Sequence, residues 1–256
     1  MDKIKFMVAN PGGNITIFVL SPVERKDYHT VAHKLLAQTE LKGEQVGFIK
    51  SIGEHNVLEM CGLEFCGNAG RAFGLYVAQQ QGLKGQQTIT IEESGADTPL
   101  QVQVNVDTGY TKIKMPQPLS VREWGRGMLV DLGGIVHIVL KDMEPSVEKF
   151  EQVKTAFYAD NTATALGVMF YNTQTETLTP VVYVDSVQTT YWEGSCGSGS
   201  LATAIVLNQQ EDENGSYSYS LQQPAGTIIS TLEKHDGTLI AAYIEGIVTF
   251  SEVYEL

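Results

Sequence analysis

Two short segments of this chain share one design. Cys66-Gly67-Asn68-Ala69-Gly70 and Cys196-Gly197-Ser198-Gly199-Ser200 lie 130 positions apart in 256 residues. Each runs directly into a helix-forming stretch, Arg71–Ala78 in one and Leu201–Leu207 in the other. A motif repeated at half the chain length points to a duplicated fold, although an α+β chain can also show a loose repeat by chance. A thiol at a helix N-terminus is also a candidate thiolate, because the positive end of the helix dipole favours its anion.

The segments around the two motifs follow the same order. Ile4 to Leu20 reads as strand, glycine turn at Asn10-Pro11-Gly12-Gly13-Asn14, and strand. Asp27–Thr39 carries Tyr28, Val31, Leu35 and Leu36 at helical spacing. Strands are expected at Val46–Ile49 and Val57–Cys61, then the first cysteine helix, then Thr88–Glu92, Leu100–Val106 and Tyr110–Met115. Met115-Pro116-Gln117-Pro118 breaks the pattern and marks the boundary between residues 1–118 and 119–247. In the second half, Met128–Leu132 and Val136–Leu140 flank Gly133-Gly134, as strands flank Gly12-Gly13. A helix at Val147–Phe157, strands at Gly167–Tyr171 and Val181–Val184, and the second cysteine helix follow. Tyr217–Gln222, Thr227–Leu232, Leu239–Ile244 and Val248–Phe250 close the chain as strands. The expectation is an α+β fold of two pseudo-symmetric halves.

Composition narrows the class of partner. A net charge of −13 disfavours nucleic acid and anionic membrane surfaces, which attract basic patches. No apolar run approaches the roughly 18–20 residues of a membrane span. Met1-Asp2-Lys3-Ile4-Lys5-Phe6 leads straight into alternating sequence, so no signal peptide is expected. Three cysteines make a disulfide framework improbable, and a reducing cytoplasm is the expected compartment. The five histidines are scattered, and His29 and His33 read as a solvated helix face, so no metal site is expected.

The matched loops suit one chemistry. An amino-acid α-proton is weakly acidic, so its removal needs a positioned base and support for the developing charge. Inversion needs a second group on the other face, one thiolate and one thiol. Backbone N–H groups after each cysteine can bind a substrate carboxylate, and Gly67 and Gly197 allow close approach. Cys61 lacks a glycine-rich helix start and reads as structural. Asn14, Glu44, Glu64 and Glu193 are polar neighbours of the motifs that can reach a substrate ammonium or side chain.

These residues resemble the diaminopimelate epimerase superfamily of cofactor-independent epimerases and racemases, over essentially the full length. Asn10–Ile17, Glu44–Ile49, Glu64–Ala69, Trp192–Gly199 and Gln223–Gly226 are most similar to the histidine racemases that supply D-histidine to staphylopine-type metallophores. The resemblance implies two domains, each a β-sheet wrapped around a central helix, with the active site in the cleft between them. It implies that the residues from 248 to 256 return to the first domain, that Cys66 and Cys196 are the two bases, and that no cofactor is needed. Gly67-Asn68 and Gly197-Ser198 would hold the substrate carboxylate, with Asn14, Glu44 and Glu193 lining the cleft. Relatives are often homodimers. Diaminopimelate epimerases carry a Glu-Arg pair before the second cysteine, whereas Asp185–Thr190 has no arginine. A second substrate carboxylate would lack its counter-charge, so histidine is the expected substrate, with diaminopimelate or another amino acid as the alternative. Outside racemisation, an isomerase like that of phenazine biosynthesis, using Glu44 as base, and a non-catalytic amino-acid binding protein remain as other classes.

Overall fold

The computed structural model describes residues 3–211 and 213–256; the Met1-Asp2 opening of the sequence lies outside them. The chain divides into two compact units, Met1–Lys114 with Glu245–Leu256, and Met115–Ile244.

In the first unit, β1 (Lys5–Asn10) turns through Pro11–Asn14 into β2 (Thr16–Val19). Gly12, Gly13 and Asn14 all take positive φ (85°, 91° and 51°). Glycine reaches that region freely and asparagine tolerates it. The Asn10 side-chain oxygen pins the turn by accepting from the Gly12 and Gly13 N–H groups at 3.0 and 2.9 Å. Helix α1 (Tyr28–Leu36) buries Tyr28, Val31, Ala32 and Leu35, one face at helical period, against β3 (Gln45–Ser51). Strand β4 (Val57–Met60) leads to α2 (Gly67–Gln80), then β5 (Gln86–Glu93), β6 (Leu100–Asn105) and β7 (Tyr110–Lys114). Every α2 residue from Gly67 to Ala78 is buried, and the helix packs on β5, β6 and β7. Small residues make that approach feasible: a Cβ on Gly74 would stand 2.7 Å from Val102 Cβ.

The second unit contains β8 (Ser120–Trp124), β9 (Gly127–Asp131), β10 (Val136–Lys141), α3 (Val147–Asp160), β11 (Ala165–Asn172) and β12 (Thr177–Val184). Next come β13 (Thr189–Trp192), α4 (Gly197–Leu207), β14 (Gly215–Gln223), β15 (Gly226–His235) and β16 (Thr238–Ile247), of which residues 245–247 belong to the first unit. Helix α3 starts at Ser146, whose side chain accepts from the Lys149 N–H. It buries Phe150 and Phe157 in a core with Ile138, Leu140, Val168 and Phe170. Helix α4 is apolar nearly all round and packs on β10, β11, β14 and β15. The β15–β16 connection is Asp236-Gly237, both at positive φ, as tight hairpins require.

The two units repeat one pairing scheme. β1/β2 is antiparallel, β2/β3 parallel, β3/β4 antiparallel, β4/β5 parallel and β5/β6 antiparallel. From β9 the sequence recurs: β9/β10 antiparallel, β10/β11 parallel, β11/β12 antiparallel, β12/β14 parallel and β14/β15 antiparallel. Strands β17 (Thr249–Phe250) and β18 (Tyr254–Glu255) then pair antiparallel with β1. The fold is thus sheet-rich α+β. No helix among the described residues is long and apolar enough to cross a membrane.

Candidate active site

Both motif cysteines sit at the N-cap of a buried helix with near-identical extended backbones. Cys66 has φ −134° and ψ 101° before α2, and Cys196 has φ −133° and ψ 115° before α4. The carbonyl of each accepts from the N–H four residues on, at 2.9 Å in both cases. Extended geometry at the cap lets the side chain turn back over the first helical turn.

Around Cys66, the Gln45 side-chain amide nitrogen donates to the sulfur at 3.2 Å and also faces Asn14 Oδ1 and Thr16 Oγ1, each at 2.8 Å. The thiol points to Asn14 Oδ1 at 3.8 Å, and the Asn68 amide donates to the same oxygen at 3.4 Å. Arg71, fully buried, donates to Asn68 Oδ1, to Thr111 Oγ1 and to the Pro11 carbonyl. The Cys66 N–H donates to Glu93 Oε1 at 2.9 Å. Around Cys196, the sulfur accepts from the Gly199 N–H at 3.4 Å and lies 3.6 Å from Ser198 Oγ. Ser198 Oγ in turn meets His137 Nε2 at 2.9 Å. The Cys196 N–H donates to Gln223 Oε1 at 2.8 Å.

The helix dipole alone would lower both thiol pKa values, but burial outweighs it. Burial, joined by the Glu93 charge, pushes the Cys66 thiol up to about 12, with the Gln45 amide pulling the other way. Burial also holds Cys196 well above the ordinary thiol range; the Glu193 carboxylate adds to this, and the Ser198 hydroxyl opposes it. Without substrate both sulfurs therefore favour the thiol, contrary to the expectation from helix position alone. His137 is fully buried and its pKa falls to about 3, so its ring is neutral at physiological pH. Its ring stands over Gly167, where a Cβ would come within 2.1 Å of Nδ1.

Of the sequence-derived residues, Asn14, Gly67 and Asn68 gather at Cys66, and Glu193, Gly197 and Ser198 at Cys196. Glu44 is placed differently: its carboxylate accepts from the Ile15 N–H at 3.1 Å and braces the Asn14 turn. Its neighbour Gln45 is the residue that reaches the sulfur. Cys61 lies outside both loops, 3.8 Å from His29 Nδ1. Glu93, Arg71, His137 and Thr16 also join the two loops, although the cysteine motifs do not mark them. One signal was available: Glu93 and Gln223 each stand 27 residues after their cysteine. Among the described residues no group of three or more His, Cys, Asp or Glu side chains is placed to hold a metal ion.

The family profile described as Histidine racemase CntK N-terminal domain matches residues 3–253. The chain belongs to this histidine racemase family. A histidine racemase of Staphylococcus aureus (strain Mu50) is 29% identical over 248 residues, 90% of this chain and 89% of the relative. A histidine racemase of Fusobacterium nucleatum subsp. nucleatum is 31% identical over 260 residues, 96% and 93% of the two chains. Among solved structures, a predicted epimerase from Pseudomonas aeruginosa superposes with a TM-score of 0.69 at 10% identity, covering 100% of this chain and 99% of that one. At that identity the superposition speaks for the fold alone. Family membership makes the protein an isomerase acting as an amino-acid racemase.

Proposed function

We propose that this racemase interconverts L- and D-histidine, with Cys66 and Cys196 as the two bases. The observation that carries the reading is the matched pair of N-cap cysteines, each with its amide anchored by the side chain 27 residues on. In one direction the thiolate of one cysteine removes the α-proton while the thiol of the other delivers a proton to the opposite face. The reverse direction exchanges their roles. The mechanism requires one α-carbon to meet both loops, and the repeated pairing scheme supports two copies of one sheet-and-helix unit, spanning residues 1–118 with 248–256 and residues 119–247.

The raised thiol pKa values fit this division of labour. A buried thiol is a competent acid, and its thiolate is a strong base once formed. The N–H groups of the first turns of α2 and α4 suit the substrate carboxylate and the charge that grows on it as the α-proton leaves. Asn14, Asn68 and Gln45 would line the Cys66 side, and Ser198 and Glu193 the Cys196 side.

Histidine is favoured over a dicarboxylic amino acid. Asp185–Val187 forms a short 3₁₀ turn and Thr189–Trp192 a strand, so the stretch before Cys196 offers acidic and neutral groups and no arginine. Glu193 would repel a second substrate carboxylate and accept an imidazole N–H. The use of Glu44 as a base finds no support, because its carboxylate is engaged with the Ile15 amide. The test is incubation of the purified protein with single L-amino acids without added cofactor, followed by chiral chromatography. D-Histidine should form and approach an equal mixture, well ahead of diaminopimelate and proline. Inversion of another amino acid with none of histidine would overturn the substrate assignment.

A further inference from the structure

The two cysteine amides are anchored by equivalent side chains, and there the halves part. In the second unit the anchor is Gln223. Its Oε1 accepts from the Cys196 N–H, its Nε2 donates to Ser200 Oγ at 2.9 Å, and Ser200 Oγ donates to the Cys196 carbonyl at 2.6 Å. That ring of hydrogen bonds is closed and neutral.

In the first unit the anchor is Glu93, and the residue four after the cysteine is Gly70 where the other half has Ser200. Glu93 Oε1 accepts from the Cys66 N–H at 2.9 Å, but Oε2 is buried with no hydrogen-bond partner. It occupies the room left by the missing side chain, 2.4 Å from where a Cβ on Gly70 would be. The whole residue is only 5% exposed. Among the described residues no cation is paired with it. Arg71, the guanidinium on α2, is engaged with Asn68, Thr111 and the Pro11 carbonyl, and Glu64, before the helix, adds a like charge. Burial accordingly raises the Glu93 carboxyl well above its ordinary range, against the pull of the Cys66 amide.

We propose that Glu93 is a positioning residue that lets the Cys66–Glu93 pair carry only one negative charge: a Cys66 thiolate requires a protonated Glu93, and an ionised Glu93 keeps Cys66 as a thiol. Two buried anions in one site disfavour each other strongly, and such groups titrate as a pair. The neutral Gln223 anchor imposes no such exclusion on Cys196, whose acidic neighbour is Glu193 instead. The proposal rests on the reading of Cys66 as a base, but the charge exclusion itself is measurable without substrate.

Glu93→Gln gives the first half the anchor that the second already uses and removes only the titration. The experiment labels the full-length protein with iodoacetamide across pH and follows each cysteine by peptide mass spectrometry. The Cys66 midpoint should fall by about one pH unit or more in Glu93→Gln, a tenfold gain in thiolate at fixed pH, while the Cys196 midpoint stays put. The rise of kcat/KM with pH should move to lower pH with it. If Glu93→Gln alone fails to fold, Glu93→Gln with Gly70→Ser rebuilds the closed ring of the second half and is read the same way. An unchanged Cys66 midpoint in the folded variant overturns the proposal. A shifted Cys66 midpoint in a protein that inverts no histidine upholds it and refutes the two-base histidine reading instead.

Discussion

At the residue scale, the proposed chemistry rests on two sulfurs, and their surroundings would set its pH range. Because burial raises both thiols, with Cys66 reaching about 12, the thiolate fraction in the free enzyme climbs tenfold per pH unit below the pKa. Racemisation measured as kcat/KM should therefore rise from pH 7 to pH 9, and a flat profile would contradict the role of the thiols. Cys66→Ser and Cys196→Ser should each lose on the order of 10²–10⁴-fold in rate, the usual worth of a positioned acid or base; Cys61→Ser should not. His137 makes a separate prediction about stability. Its folded pKa, near 3, lies below the unfolded value of 6.5. The unfolded chain binds the extra proton, so the contribution is complete above pH 6.5 and is lost as pH falls toward 3. The loss is roughly 1 kcal/mol per pH unit within that window. Urea unfolding at pH 7 and pH 5 should show a smaller drop in His137→Asn than in the wild type.

At the element scale, α2 is placed by what its residues lack. Gly74→Ala would ordinarily strengthen a helix by about 1 kcal/mol, yet here the added carbon meets Val102 at 2.7 Å. The variant should be destabilised by about 1–3 kcal/mol in urea unfolding, and a more stable variant would contradict the packing described. The two cysteine helices and most strands were legible because their apolar residues recur at period 2 or 3.6 and their ends carry glycine turns. β8 and β13 were not, because Ser120–Trp124 and Thr189–Trp192 are largely exposed and show no apolar alternation. The same limit applied in the site. Asn68 and Ser198 could be read from the motif because they are neighbours in sequence. Glu93 and His137 reach the loops only through the pairing of strands distant in sequence. Gln45, next to Glu44 in sequence, touches Cys66 through its side-chain amide, a contact that charge and motif do not mark.

At the scale of the whole molecule, one scheme of pairing is used twice, and the end of the chain completes the first unit. β1 has β2 along one edge and β17 with β18 along the other, with the Tyr254 ring 5.5 Å from that of Phe6. Deleting residues 248–256 would bare that edge and the apolar contact with it. The truncated protein should unfold at a lower temperature and aggregate more readily in light scattering; an unchanged midpoint would contradict the tail's structural role. The proposed mechanism gives each face of the reaction its own base, which is the central claim. The most direct test is conversion of L-histidine in deuterium oxide without added cofactor, stopped in the first few per cent of turnover. Two bases predict D-histidine carrying deuterium at the α-carbon while the remaining L-histidine is still unlabelled. Equal labelling of both enantiomers from the start, or D-histidine that keeps the original proton, would contradict the assignment of Cys66 and Cys196 to opposite faces.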